Sequence, residues 1–203
     1  MLGASVSHLL LNVETFFLRL IDSIYRVSLH MESIVLGGGC FWCVEGALKG
    51  LRGVSGVLPG YSGGNVENPT YEQVCGKQTG HAEVVSVTFD PDVLGRQTLL
   101  EVFFTCHDPT QLNRQGHDVG PQYRSVVFYA DEEQRADTEL LIANLADLFP
   151  NPIVTEVSPL INFFQAEDYH HDYFAKNPRN PYCMTVVAAK VTKTRAKHSS
   201  LYE

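Results

Sequence analysis

The sequence predicts an α+β fold: a ferredoxin-like, split β-α-β core with an added helix, strand and irregular C-terminal tail. Three observations carry this expectation. Ala82–Phe89 alternates two faces at the period of a strand. Two stretches with helical spacing begin at residues 40 and 98, each just after a turn or capping residue. Between residues 33 and 130 the elements follow the order β-α-β-β-α-β, the split arrangement.

Each element has a local reason. Residues 33–36 form a short apolar strand that stops at three glycines, 37–39. A helix over 40–51 places Val44, Ala47, Leu48 and Leu51 on one face. Residues 54–61 read as a second strand, closed by the turn residues of YSGGNVENP. The stretch 62–80 is a loop, too polar and glycine-rich for core. After the strand Ala82–Phe89, Thr98-Leu99-Leu100-Glu101 matches a capping box opening a helix to about residue 106. Residues 123–130 are strand-like, Asp131 can cap a longer helix to about 149, and 153–157 is a further strand.

The whole chain has 203 residues and suits one domain with additions. Leu9, Leu10, Val13, Phe16, Phe17, Leu20, Ile21 and Ile24 recur at helical spacing, so residues 1–30 read as an appended amphipathic helix, with Met31 an alternative start. Glu14, Arg19 and Asp22 interrupt it too often for a signal peptide or a membrane span. The domain proper is expected over 31–190, with a basic and polar tail over 191–203. A net charge of -8 with one short basic cluster at 190–197 argues against nucleic acid as a partner. Five cysteines, an odd number unevenly spread, fit a cytoplasmic protein with reactive thiols better than a secreted disulfide framework.

Chemistry concentrates at GGGCFWC, residues 37–43. Cys40 is placed near a helix N-terminus, where unpaired N–H groups and the dipole favour a thiolate, so a low-pKa thiol is expected. A zinc site wants four ligands, and neither a second CxxC nor suitably spaced histidines is present, so no metal is expected. A thioredoxin-like redox pair and two buried core cysteines remain open alternatives. A reactive thiol in an apolar pocket is the reading that uses Phe41 and Trp42 as walls for a small uncharged group such as a methyl. Glu83 shares a face with Val85, Val87 and Phe89. If that face packs on the helices, burial raises its pKa and equips it as a general acid; a solvent-reaching strand-end Glu is the equal alternative. The pairs His107–Asp108 and His117–Asp118 read as surface polar pairs, and Cys75 and Cys106 as packing residues.

Taken together, GCFWC (39–43), GYSGG (60–64), NPTYEQVC (68–75), TGHAEVVSV (79–87), HDPTQLNRQG (107–116), QYRSVVFY (122–129) and AEDYHHDYF (166–174) resemble the A-type peptide-methionine sulfoxide reductases, specific for the S epimer. The resemblance implies Cys40 as the nucleophile that attacks the sulfoxide sulfur and Glu83 as the proton donor to its oxygen. It implies Tyr71, Tyr123 and Asp118 as hydrogen-bonding partners of that oxygen, and Phe41 and Trp42 as the methyl pocket. It further implies a sulfenic acid on Cys40 that condenses with a second thiol, Cys183 or Cys43, to a disulfide. Thioredoxin would then reduce that disulfide, with no metal or organic cofactor, in a monomer acting on free or protein-bound methionine sulfoxide. Many members carry glycine where this chain has Cys43, and place resolving cysteines in a glycine-rich tail. A mobile tail carrying Cys183 is slightly favoured here, because a disulfide within the first helical turn is expected to strain it.

Overall fold

The computed structural model describes residues 31–202. The amphipathic helix expected over 1–30 lies outside the described residues. The rest is an α+β domain on a six-stranded mixed sheet. The strands are β1 (Glu32–Gly38), β2 (Val54–Ser62), β3 (Ala82–Phe89), β6 (Ser125–Tyr129), β7 (Glu156–Pro159) and β8 (Phe164–Gln165), in the spatial order β7-β6-β1-β3-β2-β8. A separate two-residue pair joins β4 (Arg114–Gln115) to β5 (Asp118–Val119). The helices are α1 (Phe41–Leu48), α2 (Tyr71–Cys75), α3 (Arg96–Cys106), α4 (Glu132–Leu145), α5 (Tyr173–Lys176) and α6 (Ala188–Lys197).

Strand β3 is antiparallel to both β1 and β2, so β1 and β2 run the same way with β3 inserted between them. β3 is central and carries apolar residues on both faces. Val85, Val87 and Phe89 join the main core with Leu48 of α1, Leu99 and Phe103 of α3, and Val187 and Val191 of the C-terminal segment. Ala82 and Val84 meet Val35, Val126 and Phe128 on the other face, under Leu160 and Phe163. Glu83 therefore lies on the helix-covered face.

Three expectations are corrected. Helix α3 starts at Arg96 rather than Thr98, with Gly95 at the N-cap and no side-chain cap. The Arg96 guanidinium, bridging Glu32 at 2.8 Å and Asp137 at 2.5 Å, fixes that start across two other elements. A capping box does form, but in the stretch expected to be only loop. Thr70 Oγ1 accepts from Gln73 N–H at 3.3 Å, and Gln73 Oε1 accepts from Thr70 N–H at 2.9 Å. It opens α2 and buries Val74. Beyond α4, β7 begins at Glu156, three residues later than expected, and pairs parallel to β6, with Arg124 bonded to Glu156 at 2.9 Å.

The C-terminal segment departs most. Expected as an irregular tail, it is a π-helical turn, Cys183–Val187, running straight into α6, and the boundary expected at 190/191 falls inside that helix. Its inward residues are Cys183, Val187, Val191 and Thr194, all buried. Against so many polar neighbours this stripe is thin, and only its spacing betrays it. Gly46 makes the seat: a Cβ there would stand 2.9 Å from Val191 Cγ2. Arg195 donates to the carbonyls of Gly46 (3.0 Å) and Lys49 (2.9 Å), and Tyr202 Oη donates to that of Ala47 (2.6 Å), so the end of the chain satisfies the last carbonyls of α1.

Candidate active site

The site is built at the turn from β1 into α1. Gly39 holds φ at +93°, a conformation that disfavours a side chain. At Gly38 a Cβ would stand 2.9 Å from His107 Nδ1 and 3.2 Å from the Phe103 ring. The glycines thus let the strand end pass against the C-terminal turn of α3. Cys40 occupies the N-cap of α1, and its carbonyl accepts the Cys43 N–H at 3.0 Å. Both cysteines are buried.

Glu83 is 1% exposed. Its Oε2 accepts the backbone N–H of Phe41 at 3.1 Å, while Oε1, also buried, has no partner among the described residues. Burial, and then the negative charge available at Cys40, hold its carboxyl well above the usual carboxylate range, against the Phe41 N–H. Of the two sequence alternatives for Glu83, the buried one is realised.

The expectation of a low-pKa thiol at Cys40 is corrected. Burial first, then a hydrogen bond and charge shared with Cys43, push the Cys40 thiol up, and the Trp42 N–H and the Tyr182 hydroxyl offset this only in part. One amide at a helix start does not outweigh full desolvation. Cys43 moves the other way: the hydrogen bond from Cys40, together with the charge of Lys190, lowers its thiol despite burial, Asp118 and Cys106. Cys40 and Cys43 thus influence each other's protonation from the N-cap and first turn of one helix. Cys183 is also buried; burial and the charge on Cys40 raise its thiol. Its N–H is held by Asn180 Oδ1 at 3.2 Å. The mobile carrier expected for it is here a helical turn.

The aromatic residues diverge in role. Phe41 is fully buried and packs on Tyr61 (5.9 Å between ring centroids), Tyr71 (6.4 Å) and His170 (4.9 Å). Trp42 is half-buried, stacks on Tyr173 at 3.8 Å and 6°, and donates its indole N–H to His170 Nδ1 at 3.2 Å. Tyr71 opens α2, its backbone N–H bound to Glu167 Oε1 at 2.8 Å. Burial and the charge of Glu83 raise the phenols of both Tyr71 and Tyr123. Asp118 accepts a hydrogen bond from Tyr182 Oη at 2.6 Å.

All the residues singled out from the sequence converge here, from five separate stretches. Three others were missed. Tyr182 reaches Asp118 and Cys40 and meets the edge of Trp42 at 6.1 Å. Its one sequence signal is adjacency to Cys183. His170, within AEDYHHDYF, anchors Trp42, and Lys190, the first residue of the short basic cluster 190–197, has its Nζ buried. His107 is no surface residue: it is buried, bonded to the Phe103 carbonyl at 3.1 Å and to Ser125 Oγ at 2.7 Å, and burial holds its pKa down to about 4. Among the described residues no group of three or more His, Cys, Asp or Glu side chains is arranged to hold a metal ion, and no helix is long and apolar enough to cross a membrane.

Residues 32–201 match the family model described as peptide methionine sulfoxide reductase. The chain is 53% identical over 163 residues to a peptide methionine sulfoxide reductase MsrA of Saccharolobus solfataricus, covering 80% of this chain and 92% of that protein. It is also 53% identical to the MsrA of Thermus thermophilus, over 84% of this chain and 97% of that one. Among solved structures, yeast Mxr1 in its reduced form overlaps with a TM-score of 0.73 at 33% identity, covering 76% of this chain and 90% of Mxr1.

Proposed function

The chain belongs to the peptide methionine sulfoxide reductase family, and we propose that it reduces methionine-(S)-sulfoxide, free or in proteins, with Cys40 as nucleophile and Glu83 as proton donor. The observation that carries this reading is the state of Glu83. It is a buried carboxyl held above the usual range, tethered through one oxygen to Phe41 N–H and with its other oxygen unpartnered. A protonated carboxyl beside a sulfur suits delivery of a proton to a polarised S–O oxygen.

In the proposed reaction the Cys40 sulfur bonds to the oxidised sulfur as Glu83 protonates the oxygen. Tyr71, Tyr123 and Asp118 hydrogen-bond around that oxygen. The oxygen passes to Cys40 as a sulfenic acid, methionine leaves with its sulfur reduced, and the thiol proton of Cys40 returns to Glu83. Trp42, exposed at one edge and fixed by His170 and Tyr173, takes the substrate methyl against Phe41. For the second thiol we favour Cys43 over Cys183, because it lies in the first turn of the helix that Cys40 caps, with its backbone N–H on the Cys40 carbonyl at 3.0 Å. Thioredoxin is the proposed reductant of the resulting disulfide. Five free cysteines support a reducing, cytoplasmic setting, with a monomer as the acting species.

Separated S and R sulfoxides of N-acetylated methionine, with dithiothreitol or thioredoxin as reductant, test the proposal. Turnover of the S epimer alone is expected, abolished in Cys40→Ser. Equal turnover of both epimers, or of neither, overturns it.

A further inference from the structure

Among the described residues two carboxyl side chains are buried, Glu83 and Glu45, and the proposed reaction uses only the first. Glu45 lies on α1 one turn after Trp42 and is 2% exposed. Its Oε1 accepts the backbone N–H of Asp172 at 2.8 Å. Burial raises its carboxyl to about 7 against that amide, so keeping it there costs the fold near neutral pH. Asp172 is the N-cap of α5 and holds φ at +56°, left-handed backbone that Asp tolerates better than most residues. His170 and Tyr173, before and after this bend, both touch the indole of Trp42. His170 Nδ1 accepts the indole N–H at 3.2 Å, and Tyr173 stacks on the ring face at 3.8 Å. Trp42 and Glu45, one turn apart on the same helix, thus grip the same short segment. Beside them a Cβ on Gly46 would stand 3.3 Å from Phe174 Cδ1, so α5 packs directly on α1.

We propose that Glu45 is a positioning residue for sulfoxide binding: by holding the Asp172 amide it fixes the bend that sets His170 and Tyr173 against Trp42, and so orients the indole as a substrate wall. The proposal rests on Trp42 taking the substrate methyl. An apolar side chain at position 45 would fill the same space but would leave the Asp172 N–H without its acceptor. The ion pair of Lys49 with the Asp172 carboxylate is no substitute, because it is exposed and grips the side chain rather than the backbone. Glu83 is held separately, by the Phe41 N–H, so loss of the tether loosens the wall and leaves the proton donor in place.

The experiment reads the wall and the reaction side by side. Steady-state reduction of N-acetylated methionine-(S)-sulfoxide with dithiothreitol, and the emission of Trp42, the sole tryptophan, are measured on the full chain and its variants. Glu45→Ala is expected to shift the emission to the red and to raise KM about fivefold or more, with a smaller change in kcat. Glu45→Gln, which keeps a carbonyl oxygen for the amide, is expected to restore both properties. Lys49→Met, which breaks only the exposed ion pair, is expected to match wild type in both. If Glu45→Ala does not melt cooperatively, Glu45→Leu takes its place. Unshifted emission in the folded variant overturns the tether, and failure of Glu45→Gln to restore either property overturns its assignment to the amide bond. A shifted emission with KM unchanged overturns Trp42 as the substrate wall, and with it the role of Glu45 in binding. Absence of turnover in wild type overturns the proposed function itself, while the emission still decides the tether.

Discussion

The backbone amide of Phe41 donates to Glu83 Oε2 at 3.1 Å, so the carboxyl is fixed to the residue that follows Cys40 in sequence, and strand β3 is tied to the start of helix α1. Glu83→Gln keeps the acceptor oxygen but cannot give a proton. Sulfoxide reduction is expected to fall by about 10²- to 10⁴-fold, the usual contribution of general acid catalysis. The same variant is expected to be more stable than wild type at pH 7–8. Burial raises the folded pKa, so the stability that Glu83 contributes is complete below the unfolded value of about 4.3 and declines as pH climbs toward the folded one. Rate assays and urea melts on one protein check both halves; a less stable Glu83→Gln at pH 8 contradicts the assignment.

His107 predicts an acid limit to the fold. The folded chain holds its imidazole down to about 4, whereas the unfolded chain takes up a proton below about 6.5. Stability is therefore full above pH 6.5 and lost as pH falls toward 4, by about 3 kcal/mol from this residue at pH 4. Urea melts at pH 7 and 4.5 are expected to show that slope in wild type and a shallower one in His107→Gln.

The Tyr182 hydroxyl donates to Asp118 Oδ2 at 2.6 Å, and its presence beside Cys40 lowers that thiol and so favours its anion. Tyr182→Phe removes the hydroxyl but not the ring. The labelling midpoint of Cys40 is expected to move to higher pH. A midpoint that falls would show that the hydroxyl shields the sulfur rather than activating it.

Trp42 is the sole tryptophan of the sequence, so its fluorescence reports the site without interference. It is stacked on Tyr173 and bonded to His170. Tyr173→Ala is expected to shift the emission to the red and to raise KM more than it lowers kcat, since it loosens a substrate wall and leaves Cys40 and Glu83 in place.

Which of these features could be read from the sequence follows their reach along the chain. The two-residue period of Ala82–Phe89 put Glu83 on the core face, and the packing of α1 and α3 then buried it. The glycine run before Cys40 announced a close approach, although the partner, His107, lies far along the chain. Neither the direction of the Cys40 shift nor the Tyr182 and Lys190 contacts could be read locally. Desolvation depends on everything that covers the sulfur, and Tyr182 and Lys190 lie some 140 positions or more beyond Cys40 in the chain. Likewise the α3 start was decided by two distant carboxylates rather than by its own capping sequence.

The hydrogen bonds from Arg195 and Tyr202 to the closing carbonyls of α1 set an order on biosynthesis. The helix that begins beside Cys40 cannot complete its backbone pairing until residues 195–202 have cleared the ribosome. Nascent chains held short of residue 195 will leave those carbonyls to water, and Lys190 without its seat. Cys40 is translated about 155 residues before Arg195, so a growing chain carries that sulfur through the whole interval without the surroundings it has in the folded domain.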